Sequence, residues 1–230
     1  MRHFISTLSL VALLQGLPMT AIAQQNTLAR TEPSSDYIQQ VIDAQLMSNL
    51  PDGNFHPEQW LDRAQVATIL VKTFRLDKRR EAQQEKMVVV ADVPPSHWAF
   101  NHIQIVLKTD IMKGYRDNMF FPNQRVTRAE GLAIFAQAYG VFQFSDGTVD
   151  ELLSPYCDSK FIPRWARKAI ATVIAENFIN TQDGKITPLK PMRRGDMAFV
   201  LSKYLQRQKP QPETPEAPPA RNPARSSEQH

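Results

Sequence analysis

The chain has 230 residues, a formal net charge of +4 and 42% hydrophobic residues. Its single cysteine excludes any disulfide within the chain. The length after a leader, roughly 200 residues, suits one domain around one core.

At the N-terminus, Arg2 and His3 precede an apolar run over 4–17, and Ala21-Ile22-Ala23 then sets small residues before Gln24. That is the pattern of a secretory signal with its cleavage site, assigned to residues 1–23. The run is short for a bilayer span and no later segment approaches that length. The expected product is a soluble exported protein beginning near Gln24, located in the periplasm, the cell wall or at the cell surface. No cysteine stands at the new N-terminus for lipidation, so any surface attachment is expected to be non-covalent. Residues 24–33 read as a flexible lead.

The first structured unit covers 34–74, with Val66, Ile69, Leu70 and Phe74 on one face of its second helix. Residues 75–86 form a charged linker whose Lys78, Arg79 and Arg80 read as a solvated turn rather than a nucleic-acid surface. The middle unit covers 88–140. His97, Trp98 and Ala99 lead into a helical pattern, Ile103, Val106, Leu107 and Ile111, which Gly114 is expected to stop. After a turn at Arg116, Asp117 and Asn118, a second helix starts at Thr127, whose spacing to Glu130 is that of a capping box. Residues 143–159 make a longer connection holding Cys157, expected as a buried packing thiol. The third unit covers 154–207, with Met197, Val200, Leu201 and Tyr204 facing inward. From 209 to 230 there is almost nothing to bury, so disorder is expected. This tail either trails or reaches a protein partner, and its composition leaves both open.

Capping does not account for Arg128, because a cation in the first helical turn is disfavoured by the helix dipole. Yet Arg63, Arg128 and Arg194 recur 65 and 66 residues apart, and Pro57, Pro122 and Pro188 keep the same offsets, as do Asp52, Asp117 and Asp183. Three helix-loop-helix units are therefore present, and one such pair cannot bury its apolar face alone. The fold class is mainly all-α, three units packed into one helical body.

The middle unit, through Asp92-Val93-Pro94, His97-Trp98-Ala99, Gly114-Tyr115-Arg116-Asp117, Phe120-Phe121-Pro122 and Thr127-Arg128-Ala129-Glu130, resembles an S-layer homology repeat. The third unit keeps Asp158, Trp165-Ala166 and Asp183-Gly184 but starts its helix Arg193-Arg194-Gly195-Asp196 without a capping Thr; the first lacks the Trp of its lead-in. The resemblance implies a pseudo-three-fold bundle with grooves between neighbouring units. It also implies binding of a peptidoglycan-linked polysaccharide whose terminal sugars carry pyruvate ketals. On that reading Arg128 pairs with the ligand carboxylate, with Arg63 and Arg194 in equivalent settings, so that losing Arg128 would weaken binding and leave stability nearly unchanged. Trp98 meets a sugar face or buttresses the groove, with Trp165 as its counterpart, Asp117 lines the wall, and Glu130 belongs to the ligand-facing set. Read without the resemblance, Trp98 and Trp165 are core aromatics and Asp117 is a turn-former.

The few histidines show no metal-ligand spacing and no nucleophile sits in a recognisable elbow. The Asp-Gly loops lack the alternating oxygen ligands of an EF-hand. No enzyme activity, cofactor, metal or nucleic-acid partner is expected. The alternative to a wall-binding protein is a periplasmic protein-protein adaptor built on a degenerate bundle.

Overall fold

The computed structural model describes residues 35–209. The signal assigned to 1–23, the beginning of the first repeat and the tail from 210 onward lie outside the described residues.

Repeat 1 supplies α1 (Ser35–Asp43) and α2 (Arg63–Phe74), and repeat 2 supplies α3 (Phe100–Lys108) and α4 (Arg128–Tyr139). The connection to repeat 3 is itself helical in part, α5 (Asp146–Leu153), capped by the Ser145 hydroxyl; α6 (Arg167–Ala175) and α7 (Arg194–Gln208) follow. The described residues contain helices and isolated bridges but no sheet, so this part of the chain is all-α.

Three local expectations are corrected. Helix α3 stops at Lys108 rather than Gly114, because Asp110 turns left-handed (φ 55°) and the Ile111 and Met112 amides fold back onto the Val106 carbonyl. Gly114 serves close packing instead: a Cβ there would stand 3.1 Å from the Met119 carbonyl oxygen. Residues 75–86 are more than a solvated turn, since Leu76 is fully buried and the Arg79 guanidinium donates to the Ala138 carbonyl at 3.1 Å. Cys157 is exposed, lying in the turn between α5 and the Asp158 loop rather than on a packed helix face.

The three repeats close into a ring. Helix α2 packs on α3, α4 on α6, and α7 on α1, so the second helix of each repeat rests on the first helix of the next. At the centre, Leu61, Val126 and Met192 are at most 1% exposed. Their backbones form a cycle: Leu61 N–H donates to Met192 (2.9 Å), Met192 to Val126 (2.9 Å) and Val126 to Leu61 (3.1 Å).

The first turn of a helix leaves amides without partners inside the helix. Here the neighbouring repeat accepts them. Arg63 and Ala64 donate to the Gln124 and Pro122 carbonyls, Arg128 and Ala129 to those of Lys190 and Pro188, and Arg194 and Gly195 to those of Gln59 and Pro57. The capping boxes complete the set: Asp62 with Gln65 and Thr127 with Glu130, while in α7 the Asp196 carboxylate takes the Arg193 amide at 2.9 Å.

The recurrent arginines follow the same route. Arg63 donates to the Phe120 and Lys113 carbonyls (both 2.7 Å), and Arg194 to those of Phe55 (2.8 Å) and Ser48 (2.6 Å). Each guanidinium also lies over the aromatic ring of the loop it holds, Arg63 on Phe120 at 4.5 Å and Arg194 on Phe55 at 4.6 Å. Arg128 donates to the Ile186 carbonyl (2.8 Å) and the Asn180 carbonyl (2.7 Å), and pairs with Asp196 at 2.6 Å. Burial pushes the Arg63 and Arg194 pKa values down, and at Arg63 the nearby Tyr115, Glu130 and Asp92 oppose it.

Arg128→Ala is therefore expected to cost about 3–5 kcal/mol of unfolding free energy, because it leaves the Asp196 carboxylate buried without its counter-charge. Arg63→Ala and Arg194→Ala leave carbonyls but no carboxylate unpaired and should cost less. Urea unfolding of the three variants checks the order, and three equal losses would show that the Asp196 pair adds nothing.

Candidate functional site

The arginines that the sequence offers as ligand partners are committed to the fold. Arg63, Arg128 and Arg194 are 7%, 1% and 6% exposed, and the helix amides beside them already donate to neighbouring loops. An anion arriving at these helix starts would find neither an available guanidinium nor an available N–H. Glu130 is likewise occupied, its Oε2 accepting from the Thr127 amide (2.7 Å) and hydroxyl (3.0 Å). Asp117 is exposed at a left-handed turn position (φ 59°), as a turn-former is.

The tryptophans depart in the other direction. Trp98 and Trp165 are 62% and 63% exposed, which corrects the core reading. In each Trp-Ala pair it is the alanine, Ala99 or Ala166, that is fully buried. The ring positions of the core are filled instead by Phe135, Tyr139, Phe178 and Tyr204, in edge-to-face contacts at 5.2–6.4 Å. Both indoles thus remain available to a ligand.

A cleft of about 140 Å³ opens where the three repeats meet. Trp60 comes from repeat 1, Arg128 from repeat 2, and Thr187, Lys190, Arg193 and Asp196 from repeat 3. The Arg128–Asp196 pair, mutually neutralised, forms its floor. Lys190 and Arg193 are exposed at the rim, and among the described residues neither has a carboxylate within ion-pair distance. The Trp60 ring is held face-on by the Arg125 guanidinium 3.6 Å from its centroid. The Thr187 hydroxyl is buried and has no hydrogen-bond partner among the described residues, so an oxygen in the cleft could satisfy it. The volume is below that of whole-ligand pockets and fits an anionic substituent rather than a sugar ring. Sequence reasoning missed Trp60, Lys190 and Arg193. One signal for Arg193 was present: it occupies the N-cap position that Asp62 and Thr127 hold in the other repeats, although arginine cannot cap.

The corresponding loop of repeat 1 has the opposite chemistry. His56, itself left-handed (φ 50°), donates from Nε2 to Asp52 and from Nδ1 to Glu58 (3.2 Å), which requires the imidazolium. Those two hydrogen bonds raise the His56 pKa, and burial and Lys72 lower that of His102. Proton NMR titration should place His56 above and His102 below the ordinary histidine value of about 6.5. The His56 contribution to stability is full below the unfolded-state pKa and lost as pH rises through the folded one; for His102, stability falls as pH drops below the unfolded-state value. Asp52→Asn should bring the His56 value down, and an unchanged titration would mean that the clamp does not form in solution.

The S-layer homology domain family matches this chain three times, over residues 29–67, 91–130 and 158–198. The chain is 26% identical over 195 residues to a surface-layer 125 kDa protein of Lysinibacillus sphaericus, covering 83% of this chain and 16% of the relative. It is 28% identical over 166 residues to a cellulosome-anchoring protein of Acetivibrio thermocellus, covering 71% and 36%, and 24% identical over 169 residues to an S-layer protein of Bacillus licheniformis, covering 74% and 18%. The chain thus spans 16% to 36% of the length of these relatives. Three matches in tandem, on three repeats that close into one ring, make this chain a member of the S-layer homology domain family.

Proposed function

We propose that this chain is an exported, non-enzymatic wall-binding protein that holds a peptidoglycan-linked anionic polysaccharide. Its ligand carboxylate, such as a pyruvate ketal, enters the cleft at repeat 3, between Lys190 and Arg193 and against the Thr187 hydroxyl. The observation that carries this reading is that Lys190 and Arg193 are exposed at the rim of a cleft whose floor is already neutral, and that neither is in ion-pair contact with a carboxylate of the described residues, Glu58 of repeat 1 feeling the Arg193 charge only from beyond that distance. Charge-assisted hydrogen bonds to a desolvated carboxylate are the stronger kind and suit this arrangement. Family membership and relatives named for surface layers and for anchoring support the wall as the destination. The repeat 1 loop, with Asp52 and Glu58 outward, would repel the same ligand, so one dominant site is expected rather than three. Trp98 and Trp165, exposed on the flanks, offer faces on which further sugars can stack.

An adaptor reading draws on a different surface. Met87, Val88 and Val89 are 52%, 38% and 77% exposed along an irregular segment that Gln104 pins through both the amide and the carbonyl of Val88. Such a ribbon suits a protein partner.

Co-sedimentation with sacculi from the source organism separates the two. The protein should pellet with intact sacculi and stay in solution once the attached polysaccharide is removed; pelleting that survives removal would assign bare peptidoglycan as ligand, and none at all would favour the adaptor. Lys190→Gln with Arg193→Gln should weaken binding by at least about tenfold, the loss of one or more charge-assisted hydrogen bonds. Unchanged binding would remove the cleft from consideration.

A further inference from the structure

Repeat 3 carries a second concavity, of about 540 Å³, beside the cleft. Lys160, Phe161, Lys185 and Leu189 line it, while Thr187 and Lys190 line both it and the cleft, so the two hollows share a wall. Its volume lies within the range of ligand-holding pockets, large enough for a sugar ring where the cleft is not. The Phe161 ring is 55% exposed and the Lys160 ammonium lies 5.2 Å from its centroid. No carboxylate of the described residues pairs with Lys160, Lys185 or Lys190. The one acid in the lining, Asp158, is 8% exposed, and its two oxygens accept from the Ile186 (3.0 Å) and Thr187 (2.7 Å) amides. The field inside is accordingly cationic over an apolar floor.

This chemistry is peculiar to repeat 3. Lys185, Leu189 and Lys190 stand where repeat 2 has Met119, Asn123 and Gln124 and repeat 1 has Asn54, Glu58 and Gln59. Lys160 and Phe161 come between Asp158 and Trp165, where repeat 2 has Pro94 and Pro95. The common fold of the three units does not need these residues, since repeats 1 and 2 build the same turns without them.

We propose that this concavity is a second subsite for the same acidic polymer: the sugar adjoining the one anchored in the cleft stacks on Phe161, and its carboxylate or phosphate lies among Lys160, Lys185 and Lys190. The inference rests on the wall-polysaccharide reading and deepens it, making the protein a reader of two consecutive acidic units rather than of one terminal group. Two linked contacts act with a high effective concentration for the second, so affinity should depend steeply on oligosaccharide length.

Cys157 supplies a probe that reports on this subsite alone. It is the chain's only cysteine, it is exposed, and it lines the concavity but not the cleft. Its alkylation by N-ethylmaleimide is measured with and without soluble polysaccharide released from sacculi. Saturating polysaccharide should slow alkylation at least about fivefold, and Lys160→Gln with Lys185→Gln should raise the Kd about tenfold, as expected for loss of a charge-assisted contact. Both lysines are exposed, so this variant should melt with the wild type. Treating the polysaccharide with phosphatase before the assay, which leaves the carboxylate held in the cleft intact, distinguishes the anion: protection lost identifies a phosphate and protection kept identifies a carboxylate, either supporting the subsite. Wild-type protein that pellets with sacculi while Cys157 alkylates at an unchanged rate and the double variant binds equally well would overturn the subsite and leave the wall reading standing. Failure of the wild type to pellet would overturn both.

Discussion

The structure depends on how each repeat finishes the start of its second helix. A helix N-terminus is an unfinished object, with amides that its own chain cannot satisfy, and in a small bundle water is not always at hand to do so. This chain solves the problem by exchange, every second helix giving its first two amides and the guanidinium of its first residue to the loop of the following repeat. The loops are equally unfinished without it, for carbonyls at Phe55, Phe120 and Ile186 face inward and need donors. The arrangement makes two deficits cancel, and the unfavourable placement of a cation at the positive end of a helix is outweighed by the carbonyls that surround it.

That exchange also bears on the recognition proposed above. Once the recurrent arginines are consumed by the ring, charge available to a ligand must come from residues that the repeat pattern does not share, and Lys190, Arg193, Lys160 and Lys185 are all of that kind. The frame is common to three repeats while the chemistry is concentrated on one. Repeat 1 has moved the opposite way, with His56 held between Asp52 and Glu58. A bundle with near three-fold backbone symmetry thus has a strongly asymmetric surface.

Much of the frame was legible in the sequence because it is written in spacing. The offsets of Pro57, Pro122 and Pro188 gave three units, and Thr127 with Glu130 gave a helix start that the hydrogen bonds match. The destination of the arginines was not legible, because their partners are backbone carbonyls, which have no residue signature, and because a dipole argument treats a helix as if it stood alone. The core reading of Trp98 failed for a related reason: its pattern marks the start of α3, but the buried member of the pair is Ala99, and composition cannot say which of two adjacent residues turns inward. The helix start of repeat 3 was read only as lacking a capping Thr, and the part played by Asp196, whose carboxylate serves both the Arg193 amide and the Arg128 guanidinium, was not legible.

The closure of the ring has a consequence for how the protein comes into being. Arg194 bonds to Phe55 and Ser48, carbonyls 139 and 146 positions earlier in the chain. Pairings across such separations require long loops to close before the contacts reward them, which slows folding relative to helical proteins built from local contacts. Repeats 1 and 2 can meet early, but their outer edges stay unsatisfied until α7 docks on α1. A nascent chain is therefore obliged to wait for repeat 3, and the surface of that repeat is fixed only at the step that closes the ring.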